Sequence, residues 1–327
     1  MTEPLLQIRN LTKRFTTGAG VVHALEDVSF DIPRGSITGL VGESGSGKTT
    51  LGRTLLRLVE PSSGQIRFDG TDIATLPAAG MRDMRRRMQI IFQDPMSSLN
   101  PRLKVGDLIA EGLNAFGIGT RAERRDRVAA LLEEVGLSAD YMDRYPHAFS
   151  GGQRQRIGIA RALAVEPDFI VADESVSALD VSIQAQVLNL LLDLRAKRNL
   201  TMLFIAHDLS VVNYLCDQVA VLYLGRLMEI GPAATIARAP AHPYTRALNS
   251  AIPQPDPRAA RNRTLLQGDI PSPLAPPSGC VFRTRCPHAA APCATQPTVA
   301  HCVGQDHQSY CTRTEEIYGY HGAGTLS

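Results

Sequence analysis

The residue types that can do chemistry are densest in one short stretch, residues 42–49 (GESGSGKT). This stretch fits the phosphate-loop pattern G-x-x-x-x-G-K-[ST] at every fixed position. Its glycines allow a backbone curl in which successive N–H groups face a phosphate, and the start of a following helix adds partial positive charge. Lys48 can reach the β- and γ-phosphates of a nucleotide, and the Thr49 hydroxyl can ligate Mg²⁺. The nucleotide-binding candidates are Gly42, Ser44, Gly45, Ser46, Gly47, Lys48, Thr49 and Thr50.

Two acidic residues end a second stretch, residues 169–174 (FIVADE), whose first four residues are apolar. Asp173 can hold Mg²⁺ through water, and Glu174 can polarise an attacking water. Gln93 and His207 also follow short apolar runs that predict strands. In an α/β fold, side chains just past strand ends point to the crevice in which ligands bind, although each of these two residues is a weak signal alone.

A second anion-binding pattern occupies residues 150–153, Ser150-Gly151-Gly152-Gln153. Ser150 suits the N-cap of a helix, and the two glycines expose N–H groups at the start of that helix. The stretch has no lysine, so we do not expect it to hold a nucleotide by itself.

Hydrophobic periodicity predicts the elements that position these residues. A buried strand over residues 36–41 feeds the phosphate loop, and a helix over residues 48–59 follows it, with Leu51, Leu55 and Leu58 on one face. Residues 5–11 and 25–32 partly alternate apolar and polar side chains, which is typical of antiparallel strands with one face in water.

Other elements follow from local signals. Asp69-Gly70 predicts a hairpin turn. Ser182 predicts the cap of a helix that follows the acidic stretch. The segment after Gln93 looks helical, with Val128, Leu131, Leu132 and Val135 at helical spacing. We expect this segment, about residues 94–160, to be a helical insertion.

Composition narrows the classes of protein that are possible. The net charge is +2 in 327 residues, which gives no general attraction to nucleic acid or anionic lipid. The N-terminal stretch MTEPLLQIRN lacks the basic and apolar regions of a signal peptide. No apolar run is long enough to span a membrane. We expect a cytosolic chain that binds no nucleic acid and reaches the membrane only through partners.

The cysteines are concentrated near the C-terminus. Five of the six lie in residues 280–327, after a proline-rich stretch, residues 252–279, that is typical of a linker. A reducing compartment argues against disulfides, so metal binding remains. The spacing fits neither common zinc knuckles nor ferredoxin runs. It leaves both zinc and an iron–sulfur cluster open, and three histidines could join a zinc site: His288, His301 and His307.

Taken together, these motifs resemble the ATP-binding subunits of ABC transporters over roughly residues 5–250, and most closely the oligopeptide/dipeptide (and nickel) importers. The resemblance rests on residues 42–49, Gln93, residues 150–153, 169–174 and 177–180, His207, HPYTRAL (242–248) and the tail PPSGCVFRTRCPHA. It implies an α/β P-loop cassette with a RecA-like core sheet, an antiparallel β subdomain, a helical subdomain and a small cysteine-rich C-terminal extension. The implied boundaries are 1–251 for the cassette, 252–279 for the linker and 280–327 for the extension.

The resemblance also implies residue roles. Phe15 would stack on adenine, and Gln93 would contact Mg²⁺ and the attacking water. Ser150, Gly151, Gly152 and Gln153 would bind ATP held by an opposing subunit, with Asp180 at the dimer contact. Glu174, His207 and Gln93 would be catalytic, and Mg²⁺ would bind through Thr49, Gln93 and Asp173. The tail would hold a [4Fe–4S] cluster on Cys280, Cys286, Cys293 and Cys311, with Cys302 as an extra cysteine.

The implied assembly is an importer at the cytoplasmic face of the membrane. The chain would pair with a second ATP-binding subunit, a paralogue, and work with two transmembrane permease subunits and an extracellular solute-binding protein. Two alternatives are a soluble ABC ATPase of DNA repair or translation and a cluster-bearing regulator that uses ATP only as a signal. The first tends to carry two cassettes or long coiled coils, and the intact Glu174 and His207 argue against the second.

Overall fold

The computed structural model describes residues 3–94, 98–177, 179–252 and 266–319. Within these residues the chain divides into two units. The phosphate-loop unit comprises the described residues of 6–32, 37–74 and 206–319. The helical unit comprises the described residues of 3–5, 33–36 and 75–205. Helices and strands are numbered along the chain.

The phosphate-loop unit contains two groups of strands. The first is a four-stranded sheet in the order β2-β1-β4-β5, with β1 at Pro4–Thr17, β2 at Gly20–Pro33, β4 at Ser63–Phe68 and β5 at Thr71–Asp72. β4 pairs antiparallel with both of its neighbours. The predicted hairpin turn is confirmed, because Asp69 and Gly70 both have positive φ, 50° and 77°.

The second group surrounds the strand that feeds the phosphate loop. β3 (Ile37–Val41) pairs parallel with β9 (Gln218–Tyr223), and β9 pairs antiparallel with β10 (Arg226–Pro232). β10 pairs antiparallel with β12 (His307–Ser309), and β12 pairs antiparallel with β11 (His301–Gly304). The cysteine-rich tail therefore adds two strands to this group. The helices of the unit are α1 (Lys48–Leu55), α7 (Leu209–Leu215), α8 (Ala233–Arg238), α9 (Pro243–Ser250), α10 (Pro292–Thr295) and α11 (Thr314–Tyr318).

Helix α1 is shorter than predicted. It buries Leu51 and Leu55 as expected, but it ends at Leu55, and Leu58 is 50% exposed. The physical reason is a left-handed residue, Arg57 (φ 48°), whose guanidinium donates to the Ile73 carbonyl at 2.8 Å. The prediction of a helix to residue 59 is therefore wrong after its second turn.

The helical unit has three parallel strands in the order β6-β7-β8. They are β6 (Met88–Ile91), β7 (Phe169–Asp173) and β8 (Thr201–Ile205). Its helices are α2 (Ala78–Arg87), α3 (Val105–Ala115), α4 (Arg121–Glu134), α5 (Gly151–Leu163) and α6 (Val181–Arg198), with 3₁₀ turns at Ala139–Asp143 and Pro146–Ala148. Every residue of β7 and β8 is buried, so these strands form the core of the unit.

Two local predictions in the helical unit have different outcomes. The apolar face predicted for α4 is confirmed, since Val128, Leu131, Leu132 and Val135 are all buried. The cap predicted at Ser182 is wrong by two residues. Asp180 takes the N-cap position with an extended backbone, so the helix already begins at Val181.

Candidate functional site

The phosphate loop adopts the curl that its glycines predict. Gly45 and Gly47 have φ values of 77° and 103°, in the left-handed region that side chains disfavour. A Cβ atom on Gly47 would also lie 2.6 Å from the Ala24 carbonyl oxygen. Gly47 is the N-cap of α1, and as a glycine it has no side chain with which to cap the helix. The start of α1 therefore lies at the point where a phosphate is expected.

Lys48 is buried and bonded to the loop itself. Its Nζ donates to the carbonyl oxygens of Gly42 at 2.9 Å and Glu43 at 3.1 Å. Ser46 is buried, and its Oγ has no hydrogen-bond partner among the described residues. Ser44 and Gly45 are exposed, and Thr49 and Thr50 are half-buried. The Lys48 ammonium, which we expect to bind the phosphates, is thus held inside the loop by two backbone carbonyl groups.

His207 and Phe15 have exposed side chains in the phosphate-loop unit. His207 directly follows Ala206, whose N–H donates to the Leu40 carbonyl at 3.1 Å. Leu40 lies on β3, the strand that leads into the phosphate loop. Phe15 is 36% exposed near the end of β1, with the Lys13 ammonium 4.7 Å from its ring centroid. The Phe15 ring is therefore partly exposed, with Lys13 over one of its faces.

In the helical unit, Gln93 and Glu174 come together just past the strands that carry them. The Gln93 Nε2 donates to a carboxylate oxygen of Glu174 at 2.7 Å. Glu174 has a left-handed backbone, φ 42°, and its N–H donates to the Ile205 carbonyl at 3.0 Å. This turn takes Glu174 out of the line of β7, while Asp173 stays buried at the end of the strand. The pairing satisfies the geometric expectation for an acid that is held in position by an amide.

Residues 150–153 form a reciprocal cap at the start of α5. The Ser150 Oγ accepts from the Gln153 N–H at 3.4 Å, and the Gln153 Oε1 accepts from the Ser150 N–H at 3.0 Å. The predicted N-cap is therefore confirmed. Gly152 packs against α6, because a Cβ atom there would lie 2.4 Å from the Ile183 Cγ2. Packing within this unit therefore favours a glycine at this position, independently of any ligand that the stretch binds.

Four of the tail cysteines line one small cavity in the phosphate-loop unit. Its lining includes Cys280, Cys286, Cys293 and Cys311, together with His242, Phe282 and His288. Cys302 is absent from the lining, and its Sγ lies 3.3 Å from the Gly304 carbonyl within the β11 segment. The tertiary structure thus groups the four cysteines that the resemblance assigned to the cluster and leaves the fifth apart.

Burial acts on these thiols. It raises the pKa of Cys280 and of Cys286 to about 11, and it also raises the pKa of Cys311. A bound metal would reverse this effect, because coordination deprotonates a thiol. In the part of the chain that the structure describes, however, no three or more His, Cys, Asp or Glu side chains are arranged so that they could hold a metal ion.

Sequence reasoning missed two residues that contact Glu43 in the phosphate loop, Arg285 and Tyr244. Arg285 pairs with the Glu43 carboxylate at 2.6 Å, and the Tyr244 hydroxyl accepts from the Glu43 N–H at 2.9 Å. Arg285 lies 242 residues from Glu43, and no local pattern links the two. The available signal was that Glu43 and Arg285 carry opposite charges and lie within two motifs noted for other reasons, the phosphate loop and the cysteine-rich tail.

No helix among the described residues is long and apolar enough to cross a membrane.

Comparison with known families finds two matches. Residues 25–177 match the ABC transporter family, and residues 228–293 match the C-terminal region of oligopeptide/dipeptide transporters. The second match covers three of the four cavity cysteines.

Relatives of similar length exist in bacteria. A putative peptide import ATP-binding protein of Brucella ovis is 62% identical over 314 residues, covering 96% of this chain and 99% of the relative. The oligopeptide transport ATP-binding protein OppF of Bacillus subtilis is 54% identical over 265 residues, covering 80% of this chain and 87% of the relative.

Solved structures share the fold. The cbiO1 protein of Clostridium perfringens, part of an ABC transporter complex, matches with a TM-score of 0.65 and 29% identity over 73% of this chain and 92% of its own. A dimeric ATP-binding cassette in a post-hydrolysis state, with bound ADP and Pi, matches with a TM-score of 0.64 and 28% identity, covering 70% of this chain and 98% of its own.

Proposed function

This chain belongs to the ABC transporter family of ATP-binding subunits, on its oligopeptide importer branch, and from that membership we propose how its residues use ATP. The fold is the α/β P-loop cassette expected from the sequence, and the activity is ATP hydrolysis coupled to import. We propose that the imported solute is a peptide or a related molecule, since the relatives carry names of peptide import proteins.

The observation that carries the mechanism is the Gln93–Glu174 hydrogen bond of 2.7 Å. Glu174 is the general base that polarises the attacking water, and Gln93 holds its carboxylate in position. Because the amide already fixes this carboxylate, little further conformational freedom is lost when the attacking water binds to it, and this favours catalysis.

The phosphate loop binds the triphosphate. Lys48 would exchange its two loop carbonyls, of Gly42 and Glu43, for phosphate oxygens that carry more negative charge. The N–H groups at the start of α1 supply further donors. Mg²⁺ bound through Thr49, Gln93 and Asp173 would neutralise charge on the phosphates, and His207 would hydrogen-bond the γ-phosphate. Phe15, with its exposed ring, would stack on the adenine.

The proposed partners follow from the presence in this sequence of one phosphate loop and one anion-binding stretch at residues 150–153. ABC importer subunits dimerise and work with transmembrane permeases. We propose that residues 150–153 and Asp180 bind across the dimer interface, to a second ATP-binding subunit that is a paralogue. An extracellular protein would deliver the solute, and the chain would sit at the cytoplasmic face of the membrane. The domain boundaries 1–251, 252–279 and 280–327, with the insertion at about 94–160, remain part of the proposal.

The test is isolation of the assembled complex. The tagged chain, expressed with its chromosomal neighbours and extracted from membranes in detergent, should co-purify with two permease subunits and a second ATPase. Vesicles that contain this complex should take up a labelled tripeptide when ATP is supplied on the cassette side, in the presence of the binding protein. A chain that purifies only from the soluble fraction, without permeases, would favour the soluble ATPase alternative.

We further propose that the cysteine-lined cavity holds a [4Fe–4S] cluster. The support is that four cysteines of the C-terminal segment line one cavity. Four thiolates are the usual ligand set of such a cluster, and the chemistry that it supplies when bound is electron transfer or redox sensing. Because no group of such side chains among the described residues is arranged to hold a metal ion, binding requires these cysteines to rearrange. Zinc remains the competing occupant, with His288 on the same cavity, whereas the His307 ring is bonded to Glu229 at 2.7 Å.

Metal analysis separates these occupants. Protein purified without air should be brown and contain iron and sulfide, and single Ser substitutions at Cys280, Cys286, Cys293 or Cys311 should each lose iron. The matched control, Cys302→Ser, should keep it, because Cys302 lies off the cavity. Stoichiometric zinc without iron in anaerobic protein would refute the cluster. Iron lost with Cys302 but not with Cys311 would refute only the ligand choice.

A further inference from the structure

A partly buried ion pair joins the cysteine-rich tail to the phosphate loop. The Arg285 guanidinium donates two bonds to the Glu43 carboxylate, of 2.6 and 3.1 Å, in the parallel geometry that gives such pairs their directionality. The Arg285 side chain is 8% exposed and that of Glu43 is 26% exposed. The pair is therefore largely withdrawn from solvent screening, unlike most surface salt bridges.

Glu43 is held at its amide, its carbonyl and its carboxylate. Its N–H donates to the Tyr244 hydroxyl at 2.9 Å, and its carbonyl accepts from Lys48 at 3.1 Å and from the Ser46 N–H at 3.1 Å. Two of these anchors, Tyr244 and Arg285, belong to the C-terminal part of the chain. A loop residue constrained in this way has little freedom to move when a nucleotide arrives.

The tail segment that carries Arg285 is itself anchored in the unit. Phe282 is fully buried, and its ring lies 5.3 Å from that of Tyr223 and 5.2 Å from that of Tyr244. Phe282 also lines the cysteine cavity, and Arg285 directly precedes a cavity cysteine, Cys286. The same short segment therefore contacts the cavity on one side and the phosphate loop on the other.

We propose that Arg285 is a positioning residue for ATP binding, through which the cysteine-rich tail holds the phosphate loop in its binding conformation. Lys48 must leave the Glu43 carbonyl when it turns to the phosphates, and Arg285 and Tyr244 then keep Glu43 in place. Such preorganisation strengthens binding because the loop is already ordered before ATP binds, and so loses little conformational entropy on binding. By linkage, ATP binding and the state of the cavity segment influence each other equally. The proposal rests on ATP binding by the phosphate loop and does not require a cluster.

The test is a double-mutant cycle on the full-length chain, with affinity for a fluorescent ATP analogue measured in Mg²⁺ by titration. Arg285→Gln and Glu43→Gln should each weaken binding by about 2- to 30-fold, the range of a typical coupling between sites. The double variant should bind no more weakly than the weaker single variant, because both changes remove the same interaction. Arg285→Lys should fall between wild type and Arg285→Gln, because it keeps the charge but not the paired geometry.

The matched control is Arg283→Gln, two residues away, whose guanidinium bonds the Ser278 carbonyl at 3.0 Å inside the tail. It should leave ATP affinity unchanged even if it lowers the melting temperature. Unchanged affinity in Arg285→Gln, an equal loss in Arg283→Gln, or additive single effects would each overturn the proposal. If Arg285→Gln does not fold, unchanged affinity in both Glu43→Gln and Arg285→Lys would overturn it. Lys48→Ala checks the premise separately, because wild-type affinity there would refute the ATP site itself.

Discussion

Replacing Glu174 with Gln tests the proposed general base with almost no change of shape. The Gln side chain has the same length, and its amide oxygen can still accept from the Gln93 Nε2 that now lies 2.7 Å from the carboxylate. The backbone bond from the residue 174 N–H to the Ile205 carbonyl is retained as well. Any large effect therefore comes from the lost basicity and not from misfolding.

The expected magnitude follows from the chemistry of proton transfer. A positioned general base contributes a factor of about 10² to 10⁴, or about 2.7 to 5.5 kcal/mol of the activation barrier. Glu174→Gln should thus lower ATP turnover at least about 100-fold while nucleotide affinity stays near that of wild type. We also propose that hydrolysis opens the ATP-bound dimer, so this dimer should persist in the variant.

Phosphate release from the purified transporter measures the turnover, and gel filtration with Mg²⁺ and ATP measures the dimer. Glu166→Gln is a matched control. Glu166 has the same left-handed backbone, φ 56°, in the same unit, and its exposed carboxylate pairs with Arg127 at 2.8 Å. That variant should keep wild-type turnover. Turnover above a tenth of wild type in Glu174→Gln would refute the assignment of the base.

Two further predictions concern stability in the helical unit. Gly152→Ala should lower the free energy of unfolding by about 1 to 3 kcal/mol, because its Cβ would lie 2.4 Å from the Ile183 Cγ2. Gly151→Ala, whose Cβ would meet its nearest neighbour at 3.5 Å, should not, and equal melting temperatures for the two variants would contradict this reasoning. Arg198→Gln should cost about 1 kcal/mol at pH 7, because it removes a bond of 2.9 Å to Glu134. That hydrogen bond lowers the pKa of Glu134, so the stabilisation is complete above the ordinary value of 4.5 and is lost as the pH falls through the lowered pKa. The gap between wild type and variant in urea denaturation should accordingly close on acidification, and a gap that is constant down to pH 2 would contradict the assignment.

Much of the site was predictable because its local geometry is encoded in neighbouring residues. The curl of the phosphate loop depends on glycines that tolerate positive φ, and its spacing is visible in the sequence. The cap at residues 150–153 is a hydrogen-bonded exchange between Ser150 and Gln153, three residues apart. The same reasoning failed at the end of α1, where the helix stops at a left-handed residue, Arg57, whose guanidinium donates to the carbonyl of Ile73, just after β5.

Only the tertiary structure decided which distant residues meet. Gln93 and Glu174 are 81 residues apart, and Arg285 and Glu43 are 242 apart. The cysteine spacing does not show which of the tail cysteines meet, and the folded tail brings Cys311 to the cavity and leaves Cys302 off it. The physical reason is that dihedral preferences and caps act over a few residues, whereas these contacts depend on how strands pair and side chains pack across the whole unit. The sequence alone therefore determined the family and the local geometry of the phosphate loop, and packing determined that an ion pair joins the tail to that loop.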